Sequence, residues 1–321
     1  MAREAFSRRS AAALIAAGFA WPRLAQAATP PVDFTTQASR LTPAGPPAYK
    51  PSASLATVAD MYRRMTVPIR VNGQGPFAFV VDTGANQSVI ALELAVQLGL
   101  VAGPTEPLNG VAGVQDEPTT RAQIDVGGRI RTEVTLSMLP RADLGGEGLL
   151  GIDGLEGQRL TLDFRGQTMR IEGGRRRSSD PDEIAVRAKR RSGQLTLVDA
   201  DLAGLRVTAF LDSGAQNTIG NMALRSMALT RNPMSLWTQT PILSATGQTI
   251  LAELADLPNL RIGRLHLPNW PVAFADLHTF RMWNLEQEPA ILIGVDVLSR
   301  FQYVRLDFAR DEVAFLLPES A

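Results

Sequence analysis

Two stretches of the sequence decide the fold: residues 65–82, MTVPIRVNGQGPFAFVVD, and residues 195–212, LTLVDADLAGLRVTAFLD. They align without a gap. Each opens with an apolar-Thr-apolar segment, passes a Gly-containing turn and enters an apolar strand that ends in Asp. The match continues past the strand, because Asp82–Ala85 is DTGA and Asp212–Ala215 is DSGA. Similarity of this length predicts an internal repeat.

A second pair of motifs lies downstream in the same order. Leu149–Asp153 is LLGID and Leu292–Asp296 is LIGVD, and each is followed by an Asp-Phe pair and a last predicted strand. Two dispersed matches in one order indicate a duplication, with units at residues 63–173 and 194–318.

The pattern within each unit is typical of an all-β protein. Short β-branched and aromatic runs alternate with Gly, Pro, Asn and Asp turns, which predicts two related β-barrel units. One short helix is expected after each Asp motif, at Ala91–Leu98 and at Met222–Leu229. We expect the two units to pack about a pseudo-twofold axis.

Composition removes most kinds of catalytic chemistry. The 321 residues include no Cys and two His, and the formal net charge is zero. Without Cys there are no disulfides, Cys nucleophiles or thiolate zinc sites, and two His are too few for a typical His-built metal centre. Balanced charge argues against a general nucleic-acid binder. We therefore expect no metal and no cofactor, and carboxylates remain as the acid–base groups.

A strand that ends in Asp-Thr/Ser-Gly can present its carboxylate at a fixed tip. Gly permits backbone conformations and close approach that a side chain would forbid, and the Thr or Ser hydroxyl can bond to the backbone and lock the turn. Two such tips related by a pseudo-twofold axis would bring two carboxyls within hydrogen-bonding distance, where they share one proton. One would take a proton from water while the other donates to a carbonyl, which predicts amide hydrolysis.

These motifs resemble those of aspartic peptidases. Two Asp-Thr/Ser-Gly-Ala motifs, each followed by an apolar-apolar-Gly, are similar to the paired motifs of that family, and the short units resemble retropepsins more than pepsin lobes. The resemblance covers residues 63–318. It implies a bilobal aspartic-peptidase fold and an endopeptidase acting on a peptide or protein substrate. It also implies a monomer, because one chain supplies both motifs.

The resemblance assigns roles to the two motifs. Asp82 and Asp212 would be the catalytic pair, and Thr83 and Ser213 would form a cross-lobe hydrogen-bonded grip beneath them. The remaining loop residues would support the carboxylates, in part through backbone N–H groups: Gly84, Ala85, Gly214 and Ala215.

The resemblance also implies a β-hairpin flap over the cleft. The best matches are Asn109–Val114, after which Arg121–Val126 returns as a strand, and Leu243–Gln248. The substrate-binding residues of these flaps would be Gly110, Val111, Ala112 and Gly113 in the first unit and Ala245, Thr246 and Gly247 in the second. Trp237, just before the second flap, lines the pocket or belongs to the core.

One departure from pepsin-like enzymes bears on pH. Those enzymes usually carry Ser or Thr after the motif Gly, whereas this chain has Ala85 and Ala215, as retroviral enzymes do. Loss of a hydroxyl donor to the charged carboxylate raises its pKa. A mildly acidic optimum of about pH 5–6 is therefore expected. Asp153 and Asp296, in the second motif pair, are predicted to cap turns or to pair at the surface.

The N-terminus has the three parts of an export signal. A basic start with three Arg precedes an apolar run at residues 11–21, and Ala25–Ala27 is a small-x-small cleavage site. We predict a signal peptide at residues 1–27, exported by the twin-arginine or the general route, and a periplasmic or secreted protein. The run is shorter than the roughly 20 apolar residues of a stable membrane span.

Two further segments are predicted to be connections. Residues 28–62 carry repeated Pro and would form a tether or, alternatively, an inhibitory pro-segment with Lys50 between the carboxylates. Residues 174–193 are rich in Arg and turn residues, which indicates a solvated inter-lobe linker. A second function stays open for the whole chain: a non-catalytic module that binds extended peptides by strand addition.

Overall fold

The computed structural model describes residues 53–56, 58–59, 64–128, 130–153, 155, 157–173, 182–191, 194–231 and 237–318. The predicted signal peptide and Lys50 lie outside these residues. Within them, no helix combines the length and the apolar character that a membrane crossing requires.

The first lobe begins at residue 64 and follows two short strands, β1 (Ala53–Ala56) and β2 (Val58–Ala59). Its elements are β3 (Met65–Val71), β4 (Gln74–Val81), β5 (Val89–Ala91), α1 (Leu92–Gln97), β6 (Thr105–Gly110), β7 (Gly113–Val126), β8 (Ile130–Leu139), α2 (Arg141–Leu144) and β9 (Gly148–Leu150). Three strands then lead to the second lobe: β10 (Gln158–Asp163), β11 (Thr168–Gly173) and β12 (Ile184–Arg191).

The second lobe repeats the first and is followed by two closing strands, β22 (Tyr303–Asp307) and β23 (Glu312–Leu316). Its elements are β13 (Gln194–Leu202), β14 (Leu205–Leu211), β15 (Ile219–Gly220), α3 (Met222–Arg231), β16 (Thr238–Leu243), β17 (Thr249–Leu257), β18 (Leu260–Ile262), β19 (Leu265–Leu267), β20 (Trp270–Phe274), α4 (His278–Met282), β21 (Ala290–Ile293) and α5 (Val295–Leu298).

The two lobes have the same strand pairings. In the first, β4 runs parallel to β9, and β5 pairs antiparallel with β9 and parallel with β8. In the second, β14 runs parallel to β21, and β15 pairs antiparallel with β21 and parallel with β20. The repeat predicted from the two quoted stretches is therefore a repeat of topology, and the two-unit, mostly β architecture is confirmed.

Local sequence explains the hairpin that leads to each Asp motif. In β3, MTVPIRV buries every second residue, because alternate side chains of a strand face opposite sides. The hairpin turn Asn72-Gly73 has φ values of 48° and 77°, and Ala203-Gly204 has 50° and 87°. Positive φ at both central residues is the requirement of a two-residue type I′ turn, which fixes the register of the strand that ends in Asp.

A sheet beneath both lobes, here called the basal sheet, joins strands from across the chain. Its order is β1-β11-β10-β22-β23-β12. At its centre β10 pairs antiparallel with β22, with Leu160 opposite Leu306 and Leu162 opposite Val304. The first three strands precede residue 174 and the last three follow it, so this sheet binds the two halves of the chain together.

The basal sheet also revises the predicted connections. Within the segment predicted as a tether, β1 pairs with β11; within the predicted linker, β12 pairs with both β23 and β13. Residues 184–191, in the predicted inter-lobe linker, form a strand, because apolar residues at 184, 186 and 188 alternate with charged or small ones, as in a strand with one buried face. The helices after the Asp motifs form at Leu92–Gln97 and Met222–Arg231, and α2, α4 and α5 are additional.

Two ion pairs are buried in the basal sheet. Arg159 donates from Nε and Nη2 to Oδ2 of Asp307, each at 3.1 Å, and the two side chains are 8% and 1% exposed. Arg305 pairs with Glu183 at 2.6 Å, with side chains 7% and 4% exposed. Arg159 and Asp307 lie opposite each other on β10 and β22, so this pair links strands from the two halves.

We predict that Asp307→Ala lowers the free energy of unfolding by about 3–5 kcal/mol, because it leaves a buried guanidinium without its carboxylate. Urea denaturation measures the loss. Asp276→Ala is the matched control, because Asp276 belongs to an exposed pair with Arg281 whose side chains are 66% and 49% exposed; its effect is expected within about 1 kcal/mol. Equal losses in the two variants would contradict the assignment.

Candidate active site

The two Asp motifs begin where β4 and β14 end. The N–H of Asp82 donates to the carbonyl of Leu150 at 2.9 Å, and that of Asp212 donates to the carbonyl of Ile293 at 3.0 Å. Each Asp is thus held by the second motif of its own lobe, on the parallel strand alongside. The pairing explains why both motifs recur: one presents the carboxylate and the other holds its backbone.

Each carboxylate is held by the turn that follows it. Oδ1 of Asp82 accepts hydrogen bonds from the N–H groups of Gly84, at 2.9 Å, and Ala85, at 3.0 Å. The same geometry recurs in the second lobe, at 2.9 Å for each contact, between Asp212 and the N–H groups of Gly214 and Ala215. Each motif turn thus donates two backbone N–H groups to its own carboxylate.

The two carboxyls lie next to each other, each against the other lobe's glycine. A Cβ on Gly84 would lie 2.5 Å from Cγ of Asp212, and a Cβ on Gly214 would overlap the carboxyl of Asp82. A side-chain hydrogen bond joins the two carboxyls. Only glycine leaves room for this approach, so both motif glycines are sterically required.

Thr83 and Ser213 take part in four hydrogen bonds that cross the interface beneath the carboxyls. The N–H of Thr83 donates to Oγ of Ser213 at 3.1 Å, and the N–H of Ser213 donates to Oγ1 of Thr83 at 3.0 Å. Each hydroxyl also donates to a strand of the opposite lobe, Thr83 to the Leu211 carbonyl at 2.9 Å and Ser213 to the Val81 carbonyl at 2.7 Å. We call these four bonds the grip.

Burial raises the pKa of both carboxyls. Asp212 is 8% exposed, and the pKa of its carboxyl is raised well above the ordinary value by desolvation and then by the charge of Asp82. The pKa of Asp82 is also raised by burial, against the lowering effects of the Gly84 N–H and the positive charge of Arg64. Two adjacent carboxyls with raised pKa values retain a proton together into mildly acidic solution.

Two further residues, which the sequence analysis missed, hold the second motif of each lobe in place. Ser88 accepts a hydrogen bond from the N–H of Gly151 at 3.0 Å and donates to Asp153 at 2.6 Å. In the second lobe, Thr218 accepts from the N–H of Gly294 at 3.1 Å and donates to Asp296 at 2.8 Å. Asp153 and Asp296 therefore bind these hydroxyls. The signal was present, because each hydroxyl residue lies six positions after its motif Asp.

The first predicted flap is the β6–β7 hairpin, and its tip crosses to the second lobe. Gly110 ends β6, Gly113 begins β7, and Val111 and Ala112 form the turn. The carbonyl of Val111 accepts a hydrogen bond at 2.8 Å from the N–H of His278, the first residue of α4. The side chain of Val111 packs against an apolar cluster of the second lobe.

The second predicted flap is the β16–β17 hairpin, whose turn contains Ala245, Thr246 and Gly247. With its amide oriented to satisfy both of its polar groups, Gln115 of the first flap donates to the Thr246 carbonyl at 3.1 Å and accepts from Gln248 Nε2 at 2.8 Å. The two flaps therefore contact each other. The role of these residues in substrate binding stays a prediction.

Trp237 packs as a core residue does. Its ring lies against Phe274 with a centroid distance of 5.3 Å, and the guanidinium of Arg225 covers it at 5.0 Å. These contacts favour the core interpretation over the pocket one. Within the described residues, no three or more His, Cys, Asp or Glu side chains are grouped to hold a metal ion.

We predict that Thr83→Val, which keeps the side-chain shape but removes the hydroxyl, destabilises the chain through the grip. The Leu211 carbonyl and the Ser213 N–H lose their partner, at a cost of about 1–3 kcal/mol for each unpaired buried group. Chemical denaturation measures the loss. Thr132→Val is the control, because its hydroxyl makes only a solvent-exposed bond. A Thr83→Val variant as stable as this control would refute the grip.

The chain was compared with curated proteins and with sequence models of protein families. A comparison with curated proteins finds no match. A sequence model of the family described as aspartyl protease matches residues 67–153 and again residues 198–297, which together make up more than half of the chain. The two matches coincide with the two lobes that supply Asp82 and Asp212. The chain therefore belongs to the aspartyl protease family and consists of two fused retropepsin-like units.

Proposed function

We propose that this chain is an exported aspartic endopeptidase that hydrolyses peptide bonds with a water molecule activated between Asp82 and Asp212. One observation carries the proposal: two desolvated carboxyls from different lobes are hydrogen-bonded to each other, and each is supported by its own glycine turn. Such a pair holds one proton, so it contains a base and an acid at the same time.

Each turnover moves one proton through each carboxyl of the pair. Water attacks the carbonyl carbon of the peptide and gives a proton to the ionised carboxylate, while the protonated carboxyl gives its proton to the carbonyl oxygen. The resulting tetrahedral diol breaks its C–N bond when the first carboxyl protonates the leaving nitrogen. One diol hydroxyl returns its proton to the second carboxyl. The products are an acid and an amine, and the dyad regains its starting state.

The flaps support an extended peptide as substrate. The two flap hairpins are hydrogen-bonded to each other, and the first is also hydrogen-bonded to the second lobe. These hydrogen bonds must open to admit a peptide. A strand lying between two hairpins can add its backbone hydrogen bonds to theirs. Because both Asp residues belong to one chain, we propose a monomer as the active species.

The export part of the proposal rests on the order of basic, apolar and small-residue segments in residues 1–27. We propose a periplasmic or secreted location. Cell fractionation with an antibody to the chain tests this; a full-length product in the cytoplasmic fraction would contradict it.

We predict that Asp82→Asn and Asp212→Asn each lower the cleavage of casein by about 10³-fold or more, because either change removes one half of the acid–base pair. Circular dichroism establishes that each variant folds. Asp276→Asn is the matched control, because this Asp is exposed and pairs with Arg281. Cleavage retained by either dyad variant would contradict the proposal. A wild-type chain that binds a statine-containing peptide without cutting casein would support the non-catalytic peptide-binding module instead.

We predict an activity optimum at about pH 5–6. Activity requires one proton on the pair, so it is lost below the first ionisation and above the second. Burial raises the pKa of both Asp82 and Asp212, and both limbs of the profile therefore move towards higher pH. The profile of kcat/KM against pH measures this, and a maximum below pH 3 would contradict it.

A further inference from the structure

The strand register brings Arg64 level with Asp82. In the β3–β4 hairpin, Thr66 lies opposite Val80 and Val67 opposite Phe79. Two residues further from the turn, at the open end of the hairpin, the same register sets Arg64 opposite Asp82. Directly opposed residues of an antiparallel pair have their side chains on the same face of the sheet. In agreement with this placement, the positive charge of Arg64 lowers the pKa of Asp82.

Arg64 is held inside the protein. It is 8% exposed, and its Nη2 donates to the carbonyl of Leu144 at 2.8 Å in a buried hydrogen bond. A positive charge in this position is poorly screened by water and salt. Its field therefore reaches the neighbouring carboxyl with more strength than that of a surface arginine.

The second lobe carries a different residue type at the equivalent strand position. Its register sets Thr196 opposite Phe210, and two further residues bring Gln194 opposite Asp212. Gln194 is also the repeat counterpart of Arg64 in the aligned sequence, and its amide is neutral. The duplication is therefore symmetric in strand register, and the residue type at this position differs between the lobes.

We infer that Arg64 is a positioning residue that keeps the shared proton on Asp212 and leaves Asp82 as the ionised carboxylate. The inference rests on the proposed function, because it assigns the two halves of that chemistry. Asp82 takes the proton from the attacking water, and Asp212 donates to the carbonyl oxygen. The carbonyl oxygen of the scissile bond consequently faces Asp212, and the attacking water faces Asp82.

The charges around the dyad agree with this assignment. Among the described residues, the positive charge of Arg64, just before β3, acts on Asp82 and lowers its pKa, whereas the negative charge of Asp82 acts on Asp212 and raises its pKa.

Carboxyl-carbon NMR of the ¹³C-Asp-labelled chain tests the inference without any need for activity. The two resonances are assigned with Asp82→Asn and Asp212→Asn. In the wild type, the Asp82 carbon is expected to show the carboxylate shift while the Asp212 carbon still shows the acid shift. In Arg64→Gln, which installs the residue type of the second lobe, the first ionisation moves up by about one pH unit and the two resonances titrate together.

Two further variants separate charge from structure. Arg64→Lys keeps the charge and is expected to preserve the wild-type order of ionisation. Arg70→Gln removes an exposed arginine from the same strand and is expected to change nothing. In the pH profile of kcat/KM, the acid limb of Arg64→Gln moves in the same direction as the NMR transition.

The wild-type titration alone can overturn the inference, even if Arg64→Gln does not fold: ionisation of Asp212 before Asp82 contradicts it. Unchanged ionisation in a folded Arg64→Gln variant does the same. If the wild type cleaves no peptide while the NMR order holds, the proposed peptidase function fails and the proton assignment survives.

Discussion

The reciprocal bonding of Thr83 and Ser213 is the interaction on which the site depends. Two carboxyls with raised pKa values repel each other when both are charged and cost desolvation when buried, so the bond through their shared proton needs further support to hold the lobes together. The grip supplies that attraction directly beneath them, with four hydrogen bonds that each cross the interface. Without it, the close fit of each carboxyl against the opposite glycine would be lost.

The basal sheet also holds the two lobes together, at a greater distance from the carboxyls. A hydrogen-bonded pair of side chains holds only the turns, whereas β10 and β22 tie the strands that follow each lobe into one sheet. The buried Arg159–Asp307 pair adds a cost for separating those strands. The grip and the basal sheet each join one half of the chain to the other. Together they explain how two units, each with one Asp motif, form one site.

Sequence reasoning reached the parts of this architecture that are local. The motif turns and the helix beginning at Met222 follow from short-range rules. The strand pairing of residues 184–191 does not follow from such rules, because the partner strand β23 lies far along the chain. Their Arg and Lys residues are also typical of a solvated linker. Thr218 was also missed, since its partner Asp296 is adjacent only after β21 has packed beside β14. The position of Arg64 beside Asp82 could be recognised only from the strand register.

One chain supplies both carboxyls of a single site. Isothermal titration calorimetry with a statine-containing peptide, which mimics the tetrahedral diol, tests it most directly when combined with sedimentation analysis of the same sample. The account predicts one peptide bound per chain by a monomer. One peptide per two chains, or two per chain, would contradict it.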